Sequence, residues 1–237
     1  MTLEEAKDKL ANFASRDKER RSLNHIVTKG TFVYATDGRI AFRAEVGEVP
    51  DNSEGFPTQA IDEYADAVKG STGWMEMDWA QFDNLCKGFV KALSDYIKEQ
   101  ESDIRERYIR TDCPTCGGEV YWDRDMQKLV GIDEIEGADH SPGHVDYPVK
   151  LILQKESGVQ LWLPVNFGYL YLVRKAFGQD VVFSCEVVKS SGIARLLMKT
   201  KDGKSHGIMM PLRIEGADVN YFTDRVLETR SWDGAEG

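Results

Sequence analysis

Leu3, Ala6, Leu10 and Phe13 recur at helical spacing behind Thr2 and Glu5, a capping-box pair, and predict a short amphipathic helix ending near Ser15. After a charged turn come three short β-rich runs, Ile26-Val27, Thr31 to Ala35 and Ile40 to Phe42. They are broken by Lys29-Gly30 and by Asp37-Gly38, a strong hairpin signal. Ile61, Tyr64, Ala65 and Val68 then give a second helix, closed by Lys69-Gly70. Apolar positions from Trp79 through Phe82, Phe89, Leu93 and Ile97 to Tyr108 predict a third, long helix with a charged opposite face. Residues 111–148 read as turns and acidic loop.

From Val149 the pattern returns to strands, Val149 to Leu153 and Val159 to Leu163. Asn166 can cap a fourth helix with Phe167, Leu170, Val173 and Phe177 on one face, ended by Gly178. Strands at 181–188, 193–200 and 206–214 follow, then a polar tail from Glu215. Both ends of the chain therefore carry a helix followed by three strands, with no identity between the two units. Two such units side by side predict an α+β fold with two helices on one face of curved antiparallel sheets.

Charge changes this picture. The net charge is −10, which argues against a protein coating nucleic acid with its whole surface. Residues 51–145 hold 21 acidic and nine basic side chains, whereas both ends are near neutral. Only the ends could face a phosphate backbone, at Lys18, Arg20 and Arg21 and at Arg174 and Lys175. No run approaches the roughly 20 apolar residues of a membrane span. The acidic N-terminus is unlike a signal peptide, so a cytoplasmic protein with no membrane partner is expected.

Four segments carry a resemblance: Ala35-Thr36-Asp37-Gly38-Arg39-Ile40, Val165-Asn166-Phe167-Gly168-Tyr169-Leu170, the run from Ala176 to Phe183, and Ile208-Met209-Met210-Pro211-Leu212-Arg213-Ile214. In this order they resemble bacterial DNA sliding clamps, the beta subunit of the replicative polymerase, over roughly residues 1–70 and 149–214. The resemblance implies a DNA-clamp-like fold and a hydrophobic pocket that takes short peptides from a DNA polymerase or other replication proteins. Carried over, Thr36, Gly38, Arg39, Ile40, Ile208, Met210, Pro211, Leu212 and Arg213 would form that pocket. Proline tolerates only strand positions needing no ladder bond, so Pro211 is expected on a surface strand. The chain is shorter than those three-domain clamps. We expect one clamp-like unit from 1–50 and 149–214, an acidic insertion at 51–148 with the long helix and a Cys-x-x-Cys element, and a tail at 215–237. Two domains with remodelled inner halves are the alternative.

Cys113-Pro114-Thr115-Cys116-Gly117-Gly118 has the form of a zinc knuckle, and His140 and His144 supply His-x3-His spacing nearby. A structural zinc on Cys113, Cys116, His140 and His144 is one reading, and a metal-free relic or a redox pair are the others. No nucleophile elbow, P-loop, dinucleotide fingerprint or His-Glu-x-x-His occurs, so no enzyme is expected. The expectation is a processivity factor or clamp-like module that binds double-stranded DNA as a homo-oligomer. A clamp-fold adaptor that does not encircle DNA is the alternative.

Overall fold

Residues 1–16, 20, 22–132, 135, 141–145, 147–154, 160–187, 194–212 and 225–232 are described by the structure, a computed structural model. Thr2 and Glu5 form the capping box of α1 (Leu3–Leu10), with the Thr2 amide donating to the Glu5 carboxylate at 2.9 Å. β1 (Val27–Lys29), β2 (Phe32–Thr36) and β3 (Ile40–Glu45) make an antiparallel meander. Then come α2 (Thr58–Gly70), β4 (Met75–Met77) and α3 (Trp79–Arg107), the last capped by the Asp78 carboxylate. β5 (Tyr108–Asp112), β6 (Glu119–Asp123) and β7 (Lys128–Val130) form a separate three-stranded sheet. β8 (Pro148–Gln154) and β9 (Gln160–Asn166) lead into α4 (Phe167–Phe177), capped by Asn166 and ended at Gly178 with φ 65°. β10 (Val181–Val187), β11 (Ala194–Thr200), β12 (Ser205–Met209) and β13 (Val226–Ser231) complete the elements of the described residues.

Among the described residues, ten strands form one sheet in the order β1-β2-β3-β12-β11-β10-β4-β13-β8-β9, antiparallel except for the parallel pair β13 and β8. The pairing of β3 with β12, Ile40 opposite Met209 through Ala44 opposite Ser205, joins the first and last thirds of the chain. Within this register Gly207 faces Phe42, whose ring would lie 2.4 Å from any Cβ there, so only glycine leaves the ring its place.

Strand alternation splits the core in two. Val33, Ala35, Ile40, Phe42, Leu196, Met198 and Met209 pack on one face beneath α1 and α4. Tyr34, Ala41, Val182, Leu197 and Ile208 pack on the other, beneath α2 through Ile61 and Val68. Phe177 from α4 stacks on Phe13, just beyond α1, at 6.3 Å, so two helices do share one face of the sheet. α3 adds to the same face, where Phe89 touches Tyr147, Phe167 and Tyr171. The architecture is α+β.

Three differences from the sequence reading stand out. β4, β5, β6 and β7 fall between residues 70 and 148, where no strand is predicted. β13 comes from the segment read as tail and sits inside the sheet between β4 and β8. The last correction concerns the predicted strand at 206–214: β12 ends at Met209 and is flanked by β3 and β11, so it is no edge. Met210 still donates its amide to the Arg39 carbonyl at 2.9 Å. Pro211 has no N–H to continue, and the ladder stops before it.

Candidate functional site: an apolar cleft between the hairpin turn and α2

The turn from β2 to β3 is built by its own side chains. The Asp37 carboxylate accepts from the Arg39 amide at 2.8 Å and the Ile40 amide at 3.0 Å through Oδ1. The Thr36 hydroxyl donates to the Ile40 carbonyl at 2.8 Å and accepts from the Gly38 amide at 3.0 Å. Gly38 adopts φ 91°, a conformation that disfavours any Cβ. The other carboxylate oxygen, Oδ2, accepts from the buried Tyr169 hydroxyl of α4 at 2.8 Å. Burial and then the Asp37 charge push the Tyr169 phenol well above its ordinary range, so it stays a donor. Arg20 donates to the Asp37 carbonyl at 3.0 Å. The turn is thus fixed to α4 on one side while its tip stays exposed.

Beside that tip lies a cleft of about 260 Å³ lined by Leu23, Thr36, Gly38, Arg39, Ile40, Ala41, Pro57, Ala60, Ile61, Tyr64, Ile208 and Met210. Six of the nine residues expected from the sequence line it, and they come from segments about 170 positions apart. Ala41 and Ile208, on the α2 face of the sheet, provide apolar lining. Ile40 borders the cleft while its side chain packs in the core of the opposite face. Met210, 38% exposed, lines the cleft with an unbranched thioether able to fit varied ligands.

Pro211 and Leu212 do not line the cleft. Leu212 donates its amide to the Pro164 carbonyl on β9 at 2.8 Å, which carries the chain away from the turn. Arg213 lies outside the described residues. Sequence reasoning missed the α2 wall, Pro57, Ala60, Ile61 and Tyr64. Its apolar spacing showed an amphipathic helix but not which sheet face it covers. α2 is tied down by Arg43, nearly buried in β3, which donates to the Asp62 carboxylate at 2.5 Å. Tyr34 donates to the same oxygen at 3.0 Å, and the Arg43 guanidinium lies 4.6 Å from the Phe32 ring centre.

The remaining expected residues scatter. Lys18 and Arg21 lie outside the described residues. Arg174 sits over the Trp79 ring at 4.8 Å, and Lys175 is exposed on α4. Cys113 and Cys116 occupy the turn between β5 and β6, where the amides of Cys116 and Thr115 face the Cys113 sulfur and hold its pKa below the ordinary thiol value. His144 instead lines a small polar hollow with Ser15, Arg20, Asp37, Arg39 and Tyr169. His140 lies outside the described residues, and among the described residues no three metal-binding side chains gather. No helix among them is long and apolar enough to cross a membrane.

No protein-family model matches the chain, and no curated protein matches it. Among solved structures it is similar to a DNA polymerase sliding clamp from Pseudomonas aeruginosa crystallised with a ligand, at 14% identity and TM-score 0.41, over 90% of this chain and 64% of that one. It is also similar to the DNA polymerase III subunit beta from the same organism, at 14% identity and TM-score 0.39, over 89% and 64%. The chain thus spans less than two thirds of the length of either.

Proposed function

We propose that this chain is a non-catalytic, clamp-like replication accessory protein whose cleft beside the Thr36-Asp37-Gly38 turn receives a short apolar peptide from a DNA polymerase or another replication protein. One observation carries the reading. Two distant segments, singled out by their resemblance to clamp motifs, line one open apolar cleft, with α2 as its third wall. A volume of about 260 Å³ suits two or three apolar side chains of an extended peptide. Arg39, exposed at the rim, favours acidic flanking residues and acts mainly on association rate. A groove of this size gives micromolar affinity, about −8 kcal/mol. The test is methyl NMR during titration with an acidic-flanked, leucine-rich pentapeptide. Saturable shifts should concentrate at Met210, Ile61 and Ile208; shifts confined to β8 and β9, or none at millimolar peptide, would refute the reading.

A second reading, an adaptor that keeps the cleft without encircling DNA, is favoured by the engagement of the basic residues. Among the described members of the expected set, Arg20 donates to the turn carbonyl and Arg174 lies over the Trp79 ring, so two of the three are engaged by the protein itself, and Lys175 is exposed. Affinity for duplex DNA at two salt concentrations separates the readings. A duplex-encircling oligomer should lose affinity steeply with salt, whereas the adaptor shows no measurable binding at either.

A further inference from the structure

The three-stranded sheet continues directly from α3 and is tied to its end. Arg107, at the helix end, forms a two-pronged ion pair with Asp123 of β6 at 3.2 and 3.0 Å. Oδ1 of that buried carboxylate also accepts the amides of Asp125 and Met126, in the turn before β7. At the other end of the sheet, the β5–β6 turn holds Cys113 and Cys116. The Cys113 amide donates to the Gly118 carbonyl at 2.7 Å, and the Gly117 amide donates to the Cys113 carbonyl at 2.8 Å. Gly117 takes φ 72°, which closes the turn with the Cys116 and Thr115 amides toward the Cys113 sulfur. This is the arrangement of half a tetrathiolate metal site: two thiols on one turn, with amides placed to satisfy a thiolate.

The other half is not among the described residues of the chain. Cys86 packs against the main core, Cys185 lies within β10, His206 is buried beneath α2, and His144 lines the hollow at Tyr169. The same small sheet presents a second unpartnered feature. Ile109, Trp122 and Leu129 stand directly opposite one another across β5, β6 and β7. Ile109 and Leu129 are 39% and 38% exposed, on the face opposite the buried Tyr108, Asp123 and Val130. A two-thiol turn with no further ligand beside it among the described residues and an apolar row stand on the same small sheet, and one occupant can serve both.

We propose that two copies of this chain share one zinc ion, each giving Cys113 and Cys116, and that the Ile109, Trp122 and Leu129 rows are covered in the resulting pair. Four thiols lose their protons to solvent and four zinc–sulfur bonds form, with no change of oxidation state. The symmetry is that of a twofold dimer, in which one patch meets itself. This proposal does not depend on the peptide cleft.

Full-length protein purified without chelator is measured for metal by elemental analysis and for mass by sedimentation. The expected result is about half a zinc per chain, half the complement of a closed single-chain site, and twice the 26.8 kDa chain mass. A strong chelator should return the wild-type protein to the single-chain mass, and C113S and C116S should do the same with zinc lost. The double variant H140A/H144A should keep both zinc and dimer. One zinc on each monomer, loss of zinc in the double histidine variant, or metal-free protein under zinc excess would each overturn the proposal.

Discussion

His206 shows how much one buried side chain can carry. It lies beneath α2 at 8% exposure with Nδ1 unpartnered, and burial, then Arg43, Lys69 and Lys199, push its pKa down to about 4. A histidine depressed from its ordinary value near 6.5 contributes stability that is whole above that value. The contribution fades as pH falls and is gone below the folded value near 4. The full effect is on the order of 3 kcal/mol. Urea midpoints of wild type and His206→Gln should therefore converge as pH falls from 7 to 4; a constant gap would contradict the assignment. Tyr169 is the second such residue. Tyr169→Phe strips the turn's Asp37 of one donor and should cost about 1–3 kcal/mol, read as a lower denaturation midpoint. No change would mean the turn stands without α4.

At the scale of elements, the helices and the Asp-Gly hairpin were legible because each carries its own signal: caps, periodicity, a glycine at positive φ. β13 was not. Val226-Leu227-Glu228-Thr229 offers one large buried side chain, Leu227, and Thr229 fills the next inward position. β4 is three residues long, below any useful window. β5 carries polar residues at Arg110, Thr111 and Asp112, so its pattern reads as loop. These strands exist because neighbours supply the hydrogen bonds and burial. The cleft was half legible for the same reason: the turn and the end of β12 carry motif residues, whereas α2 reaches the site through tertiary contacts, Ile61 and Val68 on the sheet and Asp62 with Arg43 and Tyr34. Asp62→Ala leaves a buried guanidinium short of its partner and should cost on the order of 3 kcal/mol. Loosened contacts of α2 should show as faster amide exchange there, and unchanged exchange would argue against the tether. Deleting residues 225–232 removes a strand from inside the sheet; the shortened chain should lose cooperative unfolding, and a sharp wild-type transition would show β13 to be dispensable.

Across the described residues, one sheet joins strands of the first and last thirds of the chain, and the acidic middle adds β4 to it and packs α2 and α3 on its faces. That placement is what turns a hairpin motif near residue 37 and a methionine near residue 210 into two sides of one cleft. It also separates two side chains that the sequence alone put together, since Met210 borders the cleft and Leu212 has left it for β9. The most direct measurement is the affinity of one acidic-flanked apolar peptide for wild type, Met210→Ala and Leu212→Ala under identical conditions. Wild type should saturate in the micromolar range, Met210→Ala should lose about 1–3 kcal/mol of binding, and Leu212→Ala should match wild type. Equal affinity of wild type and Met210→Ala, or a loss confined to Leu212→Ala, would contradict the cleft as the binding site.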